Sequence, residues 1–413
     1  MLCHSWAVVF ALLLFTILMA RPAEADDFRL LPSISGELRY DDNIFVSTTD
    51  RMHDFVSVTT GGLRLAEKTE RMDLDASANL TQNLYEEHSA LDSSDYGGTG
   101  SIGYSLNPRL RLSGQVSYAT DSQPDRELQV TGLVLNGVRR TYTTYGASSA
   151  YSFTEKISAS LSYQHGTEHY DSEQFSDLTW DSVTLGASYD LSRFLRATKG
   201  TLNFGYSRYS LTGIEVKNYE GSAGLSYPLQ EKWSIDVSGG IRRTDSTSDE
   251  LTLLGYEPLY FSGFLIASVP VYGLEQVTST SWGGVGQASL TYRGGATNGA
   301  FTARRDIEPA SGQQGTVERT GFTLSLDHRL SYEFRGSVAV EYFINNSKGS
   351  QFAVTPIDTH TLNLRPSIRY EFNKDTFIEG SYTFTTVDDR QAGKTAYRNL
   401  FLVRFFAQHA ILE

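Results

Sequence analysis

The string His165-Gly166-Thr167-Glu168-His169 has the H-x-x-E-H order of inverted zinc proteases, in which two histidines hold a metal and a glutamate lies between them. That chemistry needs a helix, where residues four apart lie one turn from each other. Here the flanking residues alternate in character, and on a strand the two histidines stand about 13 Å apart with Glu168 on the opposite face. His88 with Glu86 and Glu87, and His169 with Asp171, are the other acid–base pairs the chain offers. Both fall where a strand meets a loop, and polar side chains there are ordinarily just solvated. No G-x-S-x-G, P-loop or C-x-x-C pattern accompanies them, so the reading is of no enzyme, no cofactor and no metal.

A second set of ionisable residues is arranged by period, not by local motif. Asp73, Asp75, Arg109, Arg111, Asp190, Asp236, Arg242, Asp327, Arg329, Arg335, Glu341, Arg365, Arg369 and Glu371 belong to the polar side of segments that alternate residue by residue. The segment 72–84 shows the rule: Met72, Leu74, Ala76, Ala78, Leu80 and Leu84 share one face, and Asp73, Asp75, Ser77, Asn79, Thr81 and Asn83 the other. A strand built this way is oily on one side and wet on the other over about ten residues, close to what a tilted strand needs to cross a bilayer. Between residues 33 and 406 the pattern recurs in eighteen segments, with no helices. The expected fold is all-β, a transmembrane antiparallel up-and-down β-barrel of about eighteen strands. Such a barrel is too wide for its own side chains to close, so the ionisable set lines a water-filled passage whose rings of charge set preference. The same groups also tie neighbouring strands together, and the two roles are compatible.

Connections and aromatics follow the same plan. Short turns such as Asn107-Pro108, Thr154-Glu155-Lys156, Gln230-Glu231-Lys232 and Asn373-Lys374-Asp375 take turns with longer segments such as 121–139, 244–277 and 388–395. Barrels have short periplasmic turns and long outer loops. Trp180, Tyr219, Trp282 and Tyr397 fall at expected outer ends, and Tyr104, Trp233, Tyr292 and Tyr370 at periplasmic ends, as interfacial girdles require. Pro366 interrupts an otherwise clean strand and implies a bulge. The connection 244–277 carries an unusual apolar load, including Leu259, Tyr260, Phe261, Phe264 and Tyr272. It either folds inward as a constriction or onto a partner, or extends its strands beyond the membrane as a hydrophobic hairpin.

The N-terminus supplies an address. Ala7 to Ala20 is almost unbrokenly apolar and is followed by Ala23-Glu24-Ala25, the form of a secretory signal peptide cleaved after Ala25. The expected organisation is 1–25 signal peptide, 26–32 periplasmic lead-in, 33–406 barrel and 407–413 C-terminal tail. The single cysteine, Cys3, lies in the leader, so a mature chain has no disulfide or cysteine metal site. A formal charge of −13 argues against nucleic acid, which calls for a basic stripe. Much of the acid sits in loops, where it solvates them or bridges to anionic surface glycolipid through divalent cations.

The opening Gly36-Glu37-Leu38-Arg39-Tyr40-Asp41-Asp42-Asn43-Ile44-Phe45 resembles the first strand of outer-membrane β-barrel porins of the "porin 2" type, whose mature chains often begin with a glycine-containing strand ending in Tyr-Asp-x-Asn-(Val/Ile)-Phe. Similar proteins accompany exopolysaccharide and exosortase gene systems. The resemblance implies a full-length barrel in the outer membrane of a Gram-negative bacterium, with glycan export as a context. The C-terminus departs from the usual barrel pattern, since the chain continues past Phe405 to Glu413. The combined expectation is a passive pore for hydrophilic solutes. Its partners are outer-membrane lipid and lipopolysaccharide, a solute or glycan, and the barrel insertion machinery. The other readings are a surface structural or adhesive protein anchored by a closed barrel, and a hydrolase with its site at the rim.

Overall fold

The structure is a computed structural model that describes residues 27–123, 128, 131–133, 138–261, 264–309, 316–347 and 356–411; the expected leader lies outside the described residues. Among them are eighteen strands. The first nine are β1 (Asp27–Asp41), β2 (Asp54–Lys68), β3 (Met72–Tyr85), β4 (Ser93–Asn107), β5 (Leu110–Asp121), β6 (Arg140–Ser152), β7 (Ile157–Tyr170), β8 (Leu178–Asp190) and β9 (Lys199–Leu211). The second nine are β10 (Ile214–Gln230), β11 (Trp233–Phe261), β12 (Phe264–Arg293), β13 (Thr297–Pro309), β14 (Thr316–Arg329), β15 (Phe334–Asn346), β16 (Asp358–Asn373), β17 (Thr376–Asp389) and β18 (Lys394–Gln408). Each pairs antiparallel with its neighbours in sequence, and β1 closes on β18 from Ser33↔Gln408 to Asp41↔Leu400. Closure removes both sheet edges, as a spanning sheet must do to satisfy its backbone without water.

Alternation decides which face is which. Leu38, Leu80, Ile241 and Val403 on the outer face are more than half exposed, whereas Asn83, Thr244, Thr385 and Arg398 on the inner face are buried. An apolar belt of this extent is tolerated only where hydrocarbon covers it. The protein is therefore an outer-membrane barrel of the Gram-negative type, polar within.

One rim is closed by turns of a single design. Asn107 Oδ1 accepts from the amides of Arg109 and Leu110 at 2.9 Å each, Asn373 Oδ1 accepts from Asp375 N at 2.8 Å, and Thr154 and Ser331 hydroxyls do the same two and three residues on. Short polar side chains of this kind hold a tight turn by mimicking a backbone acceptor. The opposite rim carries the long connections.

Three local differences from the sequence reading have simple causes. β1 is already paired with β2 at Asp27↔Lys68, so the segment 27–32 forms part of the wall. Beyond β18, the amides of His409 and Ile411 still donate to Pro32 O and Leu30 O at 3.1 and 2.9 Å. Pro366 makes no bulge: the β16–β17 ladder runs Leu364↔Phe384, omits two rungs, and resumes in the same register at Ser367↔Ser381. Two omitted rungs absorb the missing donor without shifting the strand.

The seam is fastened by a buried ion pair. Arg398 Nε lies 3.0 and 2.9 Å from the two carboxylate oxygens of Asp41, and both residues are almost fully enclosed. Arg404 Nε adds a bond of 2.7 Å to Glu37, four rungs further along the seam. Arg398→Met should lower unfolding stability by about 3–5 kcal/mol, because it leaves a buried carboxylate without its counter-charge. Asp41→Asn combined with Arg398→Met should recover most of that loss in urea-unfolding curves; an additive double variant would mean the pair contributes little to closure.

Candidate functional site

The described residues of the connection after β5, Leu128 and Thr131, Gly132 and Leu133, lie in the interior. β16 lies seven positions from β5 round the wall by the shorter route, so a segment leaving β5 reaches its inner face only through the lumen. It is held there by three side-chain amide or hydroxyl donors on backbone carbonyls. Asn345 Nδ2 donates to Thr131 O at 2.9 Å, Thr361 Oγ1 to Gly132 O at 2.6 Å, and Asn363 Nδ2 to Leu128 O at 3.1 Å. Two of the donors are themselves oriented: Arg319 Nε donates to Asn345 Oδ1 at 2.9 Å, and Thr385 Oγ1 to Asn363 Oδ1 at 2.8 Å. Apolar contacts complete the anchor, with Leu128 packed among Val46, Val387 and Ala396, and Leu133 against Val317 and Ile357. Gly132 is required twice over, since its φ is +72° and a Cβ there would stand 2.7 Å from Phe343 Cβ.

A second element narrows the same level. The β12–β13 ladder stops at Gly286↔Arg305, yet β13 runs on to Pro309 paired only with β14. By alternation Glu318 belongs to the outer face of β14, and Arg242 to the inner face of β11. They nonetheless meet, with Arg242 Nη2 3.6 Å from Glu318 and Nη1 3.6 Å from Asp306. The β13–β14 end has therefore bent inward, across the inner side of β11. Arg242 is 2% exposed and is steadied by Thr244 Oγ1 at 3.0 Å, which in turn donates to Asn218 Oδ1 at 2.7 Å. Around it Arg305 meets Glu318 at 3.1 Å, Arg304 meets Asp306 at 3.1 Å and Glu308 at 3.5 Å, and Arg319 also pairs with Glu308. Arg140, 3.4 Å from Glu168, lies 5.3 Å over the ring of Tyr142, which packs 5.7 Å from Trp180; Trp180 lies over Gly166. The outer half of the lumen is thus narrowed by two backbone segments and ringed by charges of both signs.

The residues singled out by alternation fall into three groups and two single positions. Arg111 meets Asp73 at 2.6 Å and Arg64 meets Asp75 at 2.6 Å, forming one patch on β2–β5. Arg335 lies 3.7 Å from Glu371 and 3.9 Å from Asp327, Arg369 meets Glu379 at 2.6 Å over the Phe377 ring, and Glu341 lies 3.5 Å from Arg365. Asp236 has Ser289 Oγ at 3.5 Å. Arg109 sits in an exposed turn, Arg329 ends β14, and Asp190 ends β8, where it accepts from Ser192 N at 2.8 Å; these three mark the short-turn rim. Arg242 belongs to the narrowed level, and Glu341 reaches it through Asn363 Nδ2, which donates to it at 3.4 Å.

The connection 244–277 continues the β11–β12 ladder down to Phe261↔Phe264. Past Ser248 on one side and Gly286 on the other the two strands pair only with each other, and Leu259, Tyr260 and Tyr272 are 49%, 62% and 54% exposed. Leu259, Tyr260, Phe261, Phe264 and Tyr272 belong to this extended ladder, while Leu128, Thr131, Gly132 and Leu133 and the β13–β14 end lie against the inner wall. Strand-favouring residues with a partner strand beside them satisfy their backbone best by extending the ladder. The histidines are structural too: His88 Nδ1 bonds Asp54 at 3.0 Å, His165 Nδ1 bonds Asp181 at 2.8 Å, and His169 Nδ1 bonds Asp177 at 2.7 Å.

Asn345, Thr361, Asn363, Arg304, Asp306, Glu308 and Arg319 escaped the sequence reading. One signal for the crossing segment lies in the sequence: Leu128, Val130 and Leu133-Val134-Leu135 put apolar residues close together between two strands, the same anomaly that 244–277 carries.

No protein-family model matches the chain, and no curated protein matches its sequence. Among solved structures it is similar to OccK3 (OpdO) of Pseudomonas aeruginosa, at 12% identity over 94% of this chain and 97% of that one, with a TM-score of 0.45. OprD of the same organism matches at 11% identity over 95% and 98%, TM-score 0.46, and OccK2 (OpdF) in complex with glucuronate at 9% over 94% and 99%, TM-score 0.47. The likeness is one of barrel architecture, and the chain's own ladder makes it a closed eighteen-stranded antiparallel barrel of the outer membrane.

Proposed function

We propose that the protein is a passive aqueous channel for small hydrophilic solutes, with its filter where Leu128, Thr131, Gly132 and Leu133 and the β13–β14 end narrow the lumen. The observation that carries this reading is a polar interior crossed by a segment fastened through Asn345, Thr361 and Asn363. A sealed anchor has no need of a charged ring at its narrowest level, whereas a filter uses such a ring to orient a solute. The same narrowing favours small molecules over a polysaccharide strand, which needs an unobstructed bore. Arg304, more than half open, offers planar donors to carboxylates or sugar hydroxyls, and Glu308 offers an acceptor.

Liposome swelling with neutral sugars of graded size tests it. Monosaccharides should enter, and entry should fall steeply between a disaccharide and a trisaccharide. Folded barrel that passes no monosaccharide would sink the channel reading. It would favour the second one, a surface anchor acting through the exposed β11–β12 hairpin.

A further inference from the structure

The outer face of β9–β12, near the long-loop rim, carries three tiers set by cross-strand register. At the top Lys217 sits between Arg208 and Asp245, and Asp245 faces Thr280. Below it Tyr219 sits between Tyr206 and Arg243, and Arg243 faces Trp282. Below that Gly221 sits between Phe204 and Ile241, and Ile241 faces Gly284. From the rim inward the order is charge, aromatic ring, then an apolar furrow.

The furrow exists because two of its positions lack side chains. A Cβ on Gly284 would meet nothing within 4 Å, and one on Gly221 would meet only the Phe204 ring, at 3.8 Å. A recess of about 450 Å³ lies there, bounded by Phe204, Tyr219, Ile241, Arg243, Asp245 and Trp282. Carboxylates hold the cations above it in place: Lys217 Nζ lies 3.0 Å from Glu215, Arg243 Nε lies 3.1 Å from Asp245, and Arg208 also pairs with Glu215. Thr280 Oγ1 in turn donates to Asp245 at 2.8 Å. Lys217 and Arg243 keep 39% and 48% of their side-chain surface open.

We propose that this tiered recess binds one molecule of an acylated, phosphorylated saccharide lipid from the outer leaflet. Its phosphate sits on Lys217 and Arg243, its sugar lies against the faces of Trp282 and Tyr219, and an acyl chain runs down the furrow over Gly221 and Gly284. Charge complementarity selects an anionic head group, since three cations converge within two rungs. The aromatic tier selects a sugar over a simple phospholipid head, because flat ring faces of Trp and Tyr pack against saccharide carbons at the interface. The site is on the lipid side of the wall, so it stands independently of what crosses the lumen.

Native mass spectrometry of the folded full-length barrel in detergent, titrated with lipid A and separately with phosphatidylglycerol, tests the site. Lipid A should be retained about tenfold better than phosphatidylglycerol, and Lys217→Ala with Arg243→Ala should weaken retention of lipid A, each membrane-facing cation contributing roughly fivefold. Gly221→Leu, which fills the furrow and leaves the cations, should weaken retention of lipid A as well. Single-channel conductance of both variants should equal that of the parent. Equal retention of the two lipids, or variants that hold lipid A as the parent does, would overturn the proposal and leave only an ordinary lipid annulus.

Discussion

Gly132→Val should raise single-channel conductance in planar bilayers and relax size discrimination. The substitution forces a β-branched residue into φ +72° and drives a side chain into Phe343, so the crossing segment has to leave the wall. An independent route is Asn345→Ala with Thr361→Ala and Asn363→Ala. Each bond lost is worth about 1 kcal/mol net, so the three together should shift the docked population by roughly a hundredfold. Leu128 and Leu133 still contribute about 1.5–3 kcal/mol each by burial, which is why the triple variant should flicker between open levels while Gly132→Val opens fully. Deletion of 251–272, which pairs only within its own hairpin, should leave conductance at the parental value. Unchanged current in Gly132→Val would show that the narrowest point lies elsewhere in the lumen.

Strands were legible because each crosses between two solvents of opposite character, and a period of two is the direct imprint of that environment. Leu74, Leu80 and Leu84 against Asp73, Asp75 and Asn83 needed no tertiary knowledge. The long hairpin was harder. Pro258, Pro270 and Gly255 punctuate it, its apolar residues occupy both faces, and the ladder slips at Leu253/Gly255 and Leu259/Tyr260, so alternation is lost while pairing continues. The constriction was hidden for a different reason. Asn345, Thr361 and Asn363 are ordinary inward polar residues of β15 and β16, and only the arrival of a segment some two hundred residues away in sequence turns them into anchors. The bent β13–β14 end was equally silent, since alternation assigns Glu318 to the outer face and no local pattern announces that a strand end leaves the cylinder. Period reports on solvent, and these contacts are made between two parts of the protein.

Arg242→Met should lower stability and move ion selectivity toward cations at once. The arginine is enclosed between Asp306 and Glu318, and its loss leaves these two carboxylates to the half-exposed Arg304 and Arg305 alone, at about 3 kcal/mol of unfolding free energy, the low end of what breaking a buried pair costs. Backbone bonding offers no fallback, because the β12–β13 ladder has already ended at Gly286↔Arg305 and only β14 holds the last residues of β13. Repulsion should therefore lift that end, loosen the ring of Arg304, Glu308 and Arg319, and add excess negative charge to the filter. Reversal potentials across a potassium chloride gradient should shift in the direction of greater cation permeability, and the shift should shrink at high salt as screening shortens the reach of the carboxylates. Asp306→Asn and Glu318→Gln added to Arg242→Met should return the stability, since no buried charge is then left unpaired, while the bent end, no longer held by charge, should keep the current noisy. A triple variant as quiet as the parent would show that packing, not the ion cluster, seats the β13–β14 end inside the barrel.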